Sequence, residues 1–201
     1  MKLYYSPGVC SLSPHIALRE AGADFSLARV DIATKKLEDG SSYLTVNPNG
    51  YVPALQLDDG SFLTEGPAIV QYIADLYPDS GIAPKAGTLD RARLAQWLNF
   101  LATELHKSFT PLFRGATGDW RESALSTINA RFDQLNEHLG KHDYLLNDRF
   151  SVADGYLFVI LGWTKPTKID LARWPALQAF VARIAARPKV QDALRAEGLL
   201  D

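Results

Sequence analysis

The chain has 201 residues, 47% hydrophobic and 22% charged, with a formal net charge of −2. That balance excludes collagen-like and low-complexity chains and gives no electrostatic case for a nucleic-acid partner. The longest nearly unbroken apolar run, Tyr156 to Trp163, is far short of the ~20 residues a membrane helix needs.

No apolar leader follows Met1-Lys2-Leu3-Tyr4-Tyr5, so a cytoplasmic globular protein without a membrane partner is expected. The single cysteine, Cys10, excludes an internal disulfide and a Cys-rich metal site. No metal is expected.

Lys2 to Ser6 alternates polar and apolar residues and predicts a strand ended by Pro7-Gly8. Leu12, Ile16, Ala17 and Leu18 predict a helix from Ser11 to Gly22, with Pro14 in its first turn. Ser26 to Ile32 alternates again, and a polar helical or irregular stretch follows around Leu37 to Val46. Val52 to Leu57, the turn Asp58-Asp59-Gly60 and Ser61 to Leu63 read as a hairpin. Pro67 to Leu76 is a helix with Ala68, Ile69, Tyr72, Ile73 and Leu76 on one side.

This order of elements is that of a small α/β sandwich, a βαβ unit followed by an antiparallel pair and a closing helix. Residues 79–87, rich in Pro and Gly, form a linker. Beyond it the pattern is helical: Leu89 to Phe113, Trp120 to Leu139, Val152 to Trp163, Leu177 to Ala186, and a short helix after Pro188. The expected domains are therefore 1–78, α/β, and 88–201, all-α. The charge changes at the same place, from 5 basic against 9 acidic residues in 1–78 to 16 against 14 afterwards.

Cys10 falls between the first strand and the first helix. Unpaired N–H groups and the helix dipole there favour a thiolate, and Cys10-Ser11-Leu12-Ser13 has the spacing of a redox C-x-x-C whose second cysteine is serine. An inert buried thiol is the plainer alternative. Val52-Pro53 could hold a cis bond that turns the Val52 backbone toward an extended peptide; a proline merely opening a strand is the simpler reading and is preferred on sequence alone.

Gly66 bares the backbone at a helix N-terminus, suited to a carboxylate, while Glu65 beside it suits an ammonium or simply the helix dipole. In the long helix, Leu94, Leu98, Leu101, Leu105, Phe109 and Leu112 make an apolar seam. Asn99, Thr103, His106 and Thr110, at spacings of 4, 3 and 4, share another face, either a cleft wall or a solvated surface. His138 and His142 lack the glutamate of a zinc-binding helix. Ser151-Val152-Ala153-Asp154 has the spacing of a helix capping box.

These residues together resemble the glutathione S-transferases, specifically the bacterial beta class, over essentially the whole chain. The resemblance is carried by residues 4–11, Asn47 to Ala54, Leu63-Thr64-Glu65-Gly66, Trp97 to Phe100, Glu104-Leu105-His106-Lys107, the Ser151–Asp154 box, Arg187-Pro188 and Ala196-Glu197-Gly198. It implies a thioredoxin-like N-terminal domain, an all-α C-terminal domain and a homodimer. The implied activity is conjugation of reduced glutathione, the co-substrate, to small hydrophobic electrophiles, with thiol–disulfide exchange or reductive dehalogenation through Cys10.

By the same resemblance, Val52 pairs with the glutathione backbone, Glu65 and Gly66 take its γ-glutamyl end, and Lys35 its glycyl carboxylate. Cys10, Ser11 and Tyr5 lie near the sulfur. His106 and Lys107 border the site, and Asn99, Thr103 and Glu104 come from the partner subunit. Phe109, Phe113 and Trp163 are expected in the wall of the electrophile pocket. His106, which ordinarily titrates near neutrality, is a candidate to polarise or deprotonate. The alternative is a non-catalytic ligand-binding or regulatory protein of the same fold.

Overall fold

The computed structural model describes residues 1–200. Two compact units emerge: Met1–Lys85 with the described residues from Arg187 onward, and Ala86–Ala186.

In the first unit, β1 (Lys2–Tyr5) leads to α1 (Leu12–Glu20), β2 (Ser26–Asp31), the short β3 (Lys36–Leu37), β4 (Ala54–Gln56), β5 (Phe62–Thr64) and α2 (Gly66–Leu76). The sheet order is β3-β2-β1-β4-β5. β1 and β2 are parallel, with Leu3 opposite Leu27, while β1–β4 and β4–β5 are antiparallel. Central β1 buries Leu3, Tyr4 and Tyr5, as a strand covered on both faces must. The stretch after β2 is neither a helix nor wholly irregular: β3 pairs with β2, and a single 3-10 turn, Tyr43–Thr45, follows. Thr45 and Ser42 spend their side chains on local backbone there, which competes with helix propagation.

α2 buries Ile69, Val70, Ile73 and Ala74 and leaves Leu76 exposed. Its inner face is thus turned from the expected one. The closing segment departs further from expectation. α9 (Pro188–Ala196) belongs with the first unit, not with the helical residues before it. It packs against α1, burying Val190 and Ala193 completely. Arg187 reaches both carboxylate oxygens of Glu20 at 2.7 and 2.8 Å, a bidentate pair that sets its register.

The second unit runs α3 (Leu89–Phe100), α4 (Thr110–Phe113), α5 (Gly118–Leu139), α6 (Val152–Gly162), α7 (Thr164–Thr167) and α8 (Pro175–Ala185). The Leu94, Leu98, Leu101, Leu105 and Phe109 seam is at most 1% exposed. The helix carrying it is not continuous. A π-helical turn occupies Leu101–His106 and a 3-10 turn Lys107–Phe109. Thr103 and Ser108 hydroxyls bond the carbonyls of Asn99 and Glu104 four residues back, and Pro111 offers no N–H to the turn before it. The regular 4, 3, 4 spacing of the polar stripe therefore does not translate into one straight face.

α6 is buried along Val152 to Leu161. Its start is the expected capping box: Ser151 donates to Asp154 Oδ2 through its N–H at 2.7 Å and its Oγ at 2.8 Å. Asp154 Oδ1 also accepts the Leu145 N–H at 2.8 Å, which ties the preceding loop to the helix.

Candidate active site

Cys10 stands at the mouth of α1, where two of the first amides are spent on the turn itself. The N–H groups of Leu12 and Ser13 donate to the carbonyls of Val9 and Cys10. Cys10 Sγ itself donates to the Val52 carbonyl at 3.0 Å, a bond made by the thiol and forfeited on ionisation. Ser11 is fully buried, and its hydroxyl both donates to the Ser6 carbonyl and accepts the Ser6 N–H, each at 3.1 Å. Through these two bonds Ser11 ties the turn before α1 to the end of β1. Tyr5 is buried with its ring on that of His15; burial, reinforced by the Glu197 carboxylate, raises its phenol above the ordinary range, so its O–H remains protonated.

Val52 is held from behind. The buried Tyr43 hydroxyl and the Asn47 amide both donate to the Tyr51 carbonyl at 2.8 Å. Burial pushes the Tyr43 phenol up to about 12, keeping it a donor. The Val52-Pro53 bond is cis, so the reading of Pro53 as a plain strand-opening residue does not hold. Lys35 lies across Gly50: its Nζ donates to the Gly50 carbonyl at 2.8 Å, and a Cβ on Gly50 would come within 3.1 Å of Lys35 Cδ and Cε. The ammonium also sits 5.8 Å from the Tyr51 ring centroid.

Glu65, exposed, caps α2 with φ 66° and ψ 110°, and its carbonyl accepts the Ala68 and Ile69 N–H groups at 3.0 Å. An L-residue at positive φ is strained by about 1–3 kcal/mol, and glycine adopts such angles freely. Glu65→Gly is therefore expected to raise the melting temperature and, on the role the resemblance implies for Glu65, to weaken glutathione binding by about tenfold, the loss of one charge-assisted bond. Glu65→Ala keeps the strain and should weaken binding with little thermal change. Calorimetry and thermal melts on both variants separate the two effects; unaltered affinity in both removes Glu65 from the site.

In the helical unit, Asn99, Thr103, Glu104 and Lys107 are exposed. Glu104 forms a 2.8 Å ion pair with Arg131 of its own chain. His106 is half-buried: Nδ1 is 2.6 Å from the Tyr156 hydroxyl and its ring centroid 4.7 Å from that of Trp163. Burial, with Lys107 adding to it, pushes His106 down to about 4. It is a neutral imidazole at pH 7, not the near-neutral titrating group expected. Phe113 is 53% exposed and packs on Trp163. Phe109, expected in the pocket wall, is fully buried against Phe132 and Trp163; it backs that wall without facing a ligand.

Sequence reasoning missed His15 and Glu197. Both are buried, with His15 Nδ1 2.8 Å from Glu197 Oε1, and the other carboxylate oxygen accepts the Gly8 N–H at 2.9 Å. Arg19 Nε donates to His15 Nε2 at 3.2 Å. The C-terminal segment thus fixes the Gly8–Cys10 loop. A histidine inside the apolar run Pro14 to Leu18 was the available signal, since a buried polar group demands a partner. The roles of Tyr43 and Asn47 behind Val52, and of Tyr156 beside His106, carried no signal in spacing.

The family models for the glutathione S-transferase N-terminal and C-terminal domains match residues 8–76 and 100–188. The chain is 48% identical to the glutathione S-transferase GstA of Escherichia coli O157:H7, covering 99% of this chain and 100% of that protein. Among solved structures it is similar to a ternary complex of BphK, a bacterial transferase, at 59% identity and TM-score 0.97, covering 99% of this chain and 100% of that one. A sphingomonad glutathione S-transferase complexed with glutathione superposes at TM-score 0.95 with 53% identity, again over 99% and 100% of the two chains. Matched across both domain models and along nearly its whole length, the chain belongs to the glutathione S-transferase family.

Proposed function

We propose that this protein is a beta-class transferase that binds reduced glutathione and joins its sulfur to small hydrophobic electrophiles, and that Cys10 adds thiol–disulfide exchange. The observation that carries this reading is the 3.0 Å approach of Cys10 Sγ to the Val52 carbonyl: the lone thiol sits at the backbone group that an extended cysteinyl peptide would pair with. In this reading the Val52 backbone takes the cysteinyl residue of glutathione, Glu65 its ammonium, the Gly66 N–H its γ-glutamyl carboxylate, and Lys35 its glycyl carboxylate.

Glutathione's thiol is mostly protonated at neutral pH, so conjugation requires that its thiolate be stabilised by donors and positive potential. The thiolate then attacks an electrophilic carbon; a carbon–sulfur bond forms, and a halide leaves or an epoxide oxygen takes up a proton. Phe113 supplies an apolar surface for the electrophile, backed by Trp163 and Phe109. In a cytoplasmic homodimer, Asn99, Thr103 and Glu104 of one chain would serve the ligand of the other, while His106 and Lys107 border the site of their own chain.

Retention on immobilised glutathione, followed by parallel assays of aryl-halide conjugation and of disulfide exchange, tests the reading. A purified protein that is not retained and conjugates no aryl halide overturns it.

A further inference from the structure

On the transferase reading above, we propose that Tyr156 is a positioning residue for His106: its phenol donates to Nδ1 and holds the imidazole as the tautomer carrying the proton on Nε2. His106 then presents a hydrogen-bond donor at Nε2, not a proton acceptor.

The geometry leaves the ring little choice. Nδ1 and the Tyr156 hydroxyl are 2.6 Å apart, and the two rings meet edge-on with centroids 5.9 Å apart. Trp163 closes another side, its ring tilted 65° to the imidazole at 4.7 Å. Tyr156 is 4% exposed, on a helix buried along nearly all its length, so its hydroxyl is not free to swing away.

Within that contact the direction of the proton follows from chemistry. A phenol is the better donor and an unprotonated imidazole nitrogen the better acceptor, so O–H donates and Nδ1 accepts. His106 is pushed down to about 4 by burial; the ring is neutral at pH 7 and carries one proton, which must then reside on Nε2. Among the described residues Nε2 has no hydrogen-bond partner.

The test uses Tyr156→Phe, which removes the hydroxyl and keeps the ring. In nitrogen-15 spectra at pH 7, His106 of the unaltered protein should show an unprotonated Nδ1 and a protonated Nε2. In Tyr156→Phe it should show a mixture of tautomers. The kcat for aryl-halide conjugation should fall by about tenfold, a fraction of what loss of a whole oxyanion donor costs, with KM for glutathione within about twofold. In a His106→Ala background the same substitution should leave kcat unchanged, because a residue acting through His106 has nothing left to position.

A proton found on Nδ1 in the unaltered protein overturns the proposal, as does an equal loss of kcat in the His106→Ala background. Failure to bind immobilised glutathione overturns the proposed function and Tyr156's part in it, while the nitrogen spectrum alone decides whether Tyr156 sets the tautomer.

Discussion

Asp154→Ala is expected to lower the unfolding free energy by about 3–5 kcal/mol, through loss of the cap and of partners for buried donors. The carboxylate is fully buried and accepts three hydrogen bonds, from the N–H and Oγ of Ser151 and the N–H of Leu145. Truncation leaves two backbone N–H groups without acceptors, each at a cost of about 1–3 kcal/mol. For a chain of this size the melting temperature should fall on the order of 10 °C. A denaturant titration showing under about 1 kcal/mol of loss would mean that the loop before α6 relaxes to bond those amides elsewhere.

The same residue has a pH signature. Burial pushes its carboxyl up to about 6, against the opposing pull of its three donors. A folded value above the unfolded one means the native state holds a proton longer. Stability conferred by Asp154 therefore falls as pH rises from about 4 to about 6. The stability difference between the unaltered protein and Asp154→Asn, which does not titrate, should shrink across that window. His106 works in the opposite sense: its folded value, about 4, lies below the unfolded one, so its contribution grows as pH rises from about 4 to about 6.5.

Cys10→Ala is expected to abolish disulfide exchange, by about 10³-fold or more, since removing a covalent nucleophile removes the step itself. In exchange, the Cys10 thiolate attacks a disulfide sulfur; a Cys10–glutathione disulfide forms and the other thiolate leaves. A second glutathione thiolate then restores Cys10 and departs as glutathione disulfide. Conjugation forms its bond at glutathione's own sulfur, so it should survive within about tenfold, or 1.4 kcal/mol. Loss of the thiol also vacates the Val52 carbonyl, where Cys10 Sγ donates at 3.0 Å, so glutathione affinity should not weaken. Both assays, with a mass spectrum for the adduct, check the division. Equal collapse of the two activities would assign Cys10 to conjugation as well.

Where local pattern and tertiary context agreed, the reading from residues was accurate. The β1–α1–β2 order, the β4–β5 hairpin, the apolar seam from Leu94 to Phe109 and the box at Ser151–Asp154 depend on periodicity, turn residues and capping, all of which act over a few positions. The candidate site was read from the resemblance; Cys10, Val52 and Lys35 lie within one unit, with Cys10 bonded to Val52.

Departures arose where a side chain had two eligible partners. Phe109 could have lined a wall, but Phe132 and Trp163 enclose it. His106 could have titrated near neutrality, but its burial forbids it.

The amino-acid order alone thus determined most of the strands and helices and that an α/β part precedes a helical one. Only the tertiary structure decided that α9 joins the first unit, that Glu197 anchors the Gly8 loop, and that the polar stripe is broken by a π-helical turn. The physical reason is range. Secondary structure follows from hydrogen bonds and periodicity over a handful of residues, whereas a buried polar group's partner, 189 positions away for Gly8 and Glu197, is selected by packing that no local pattern encodes.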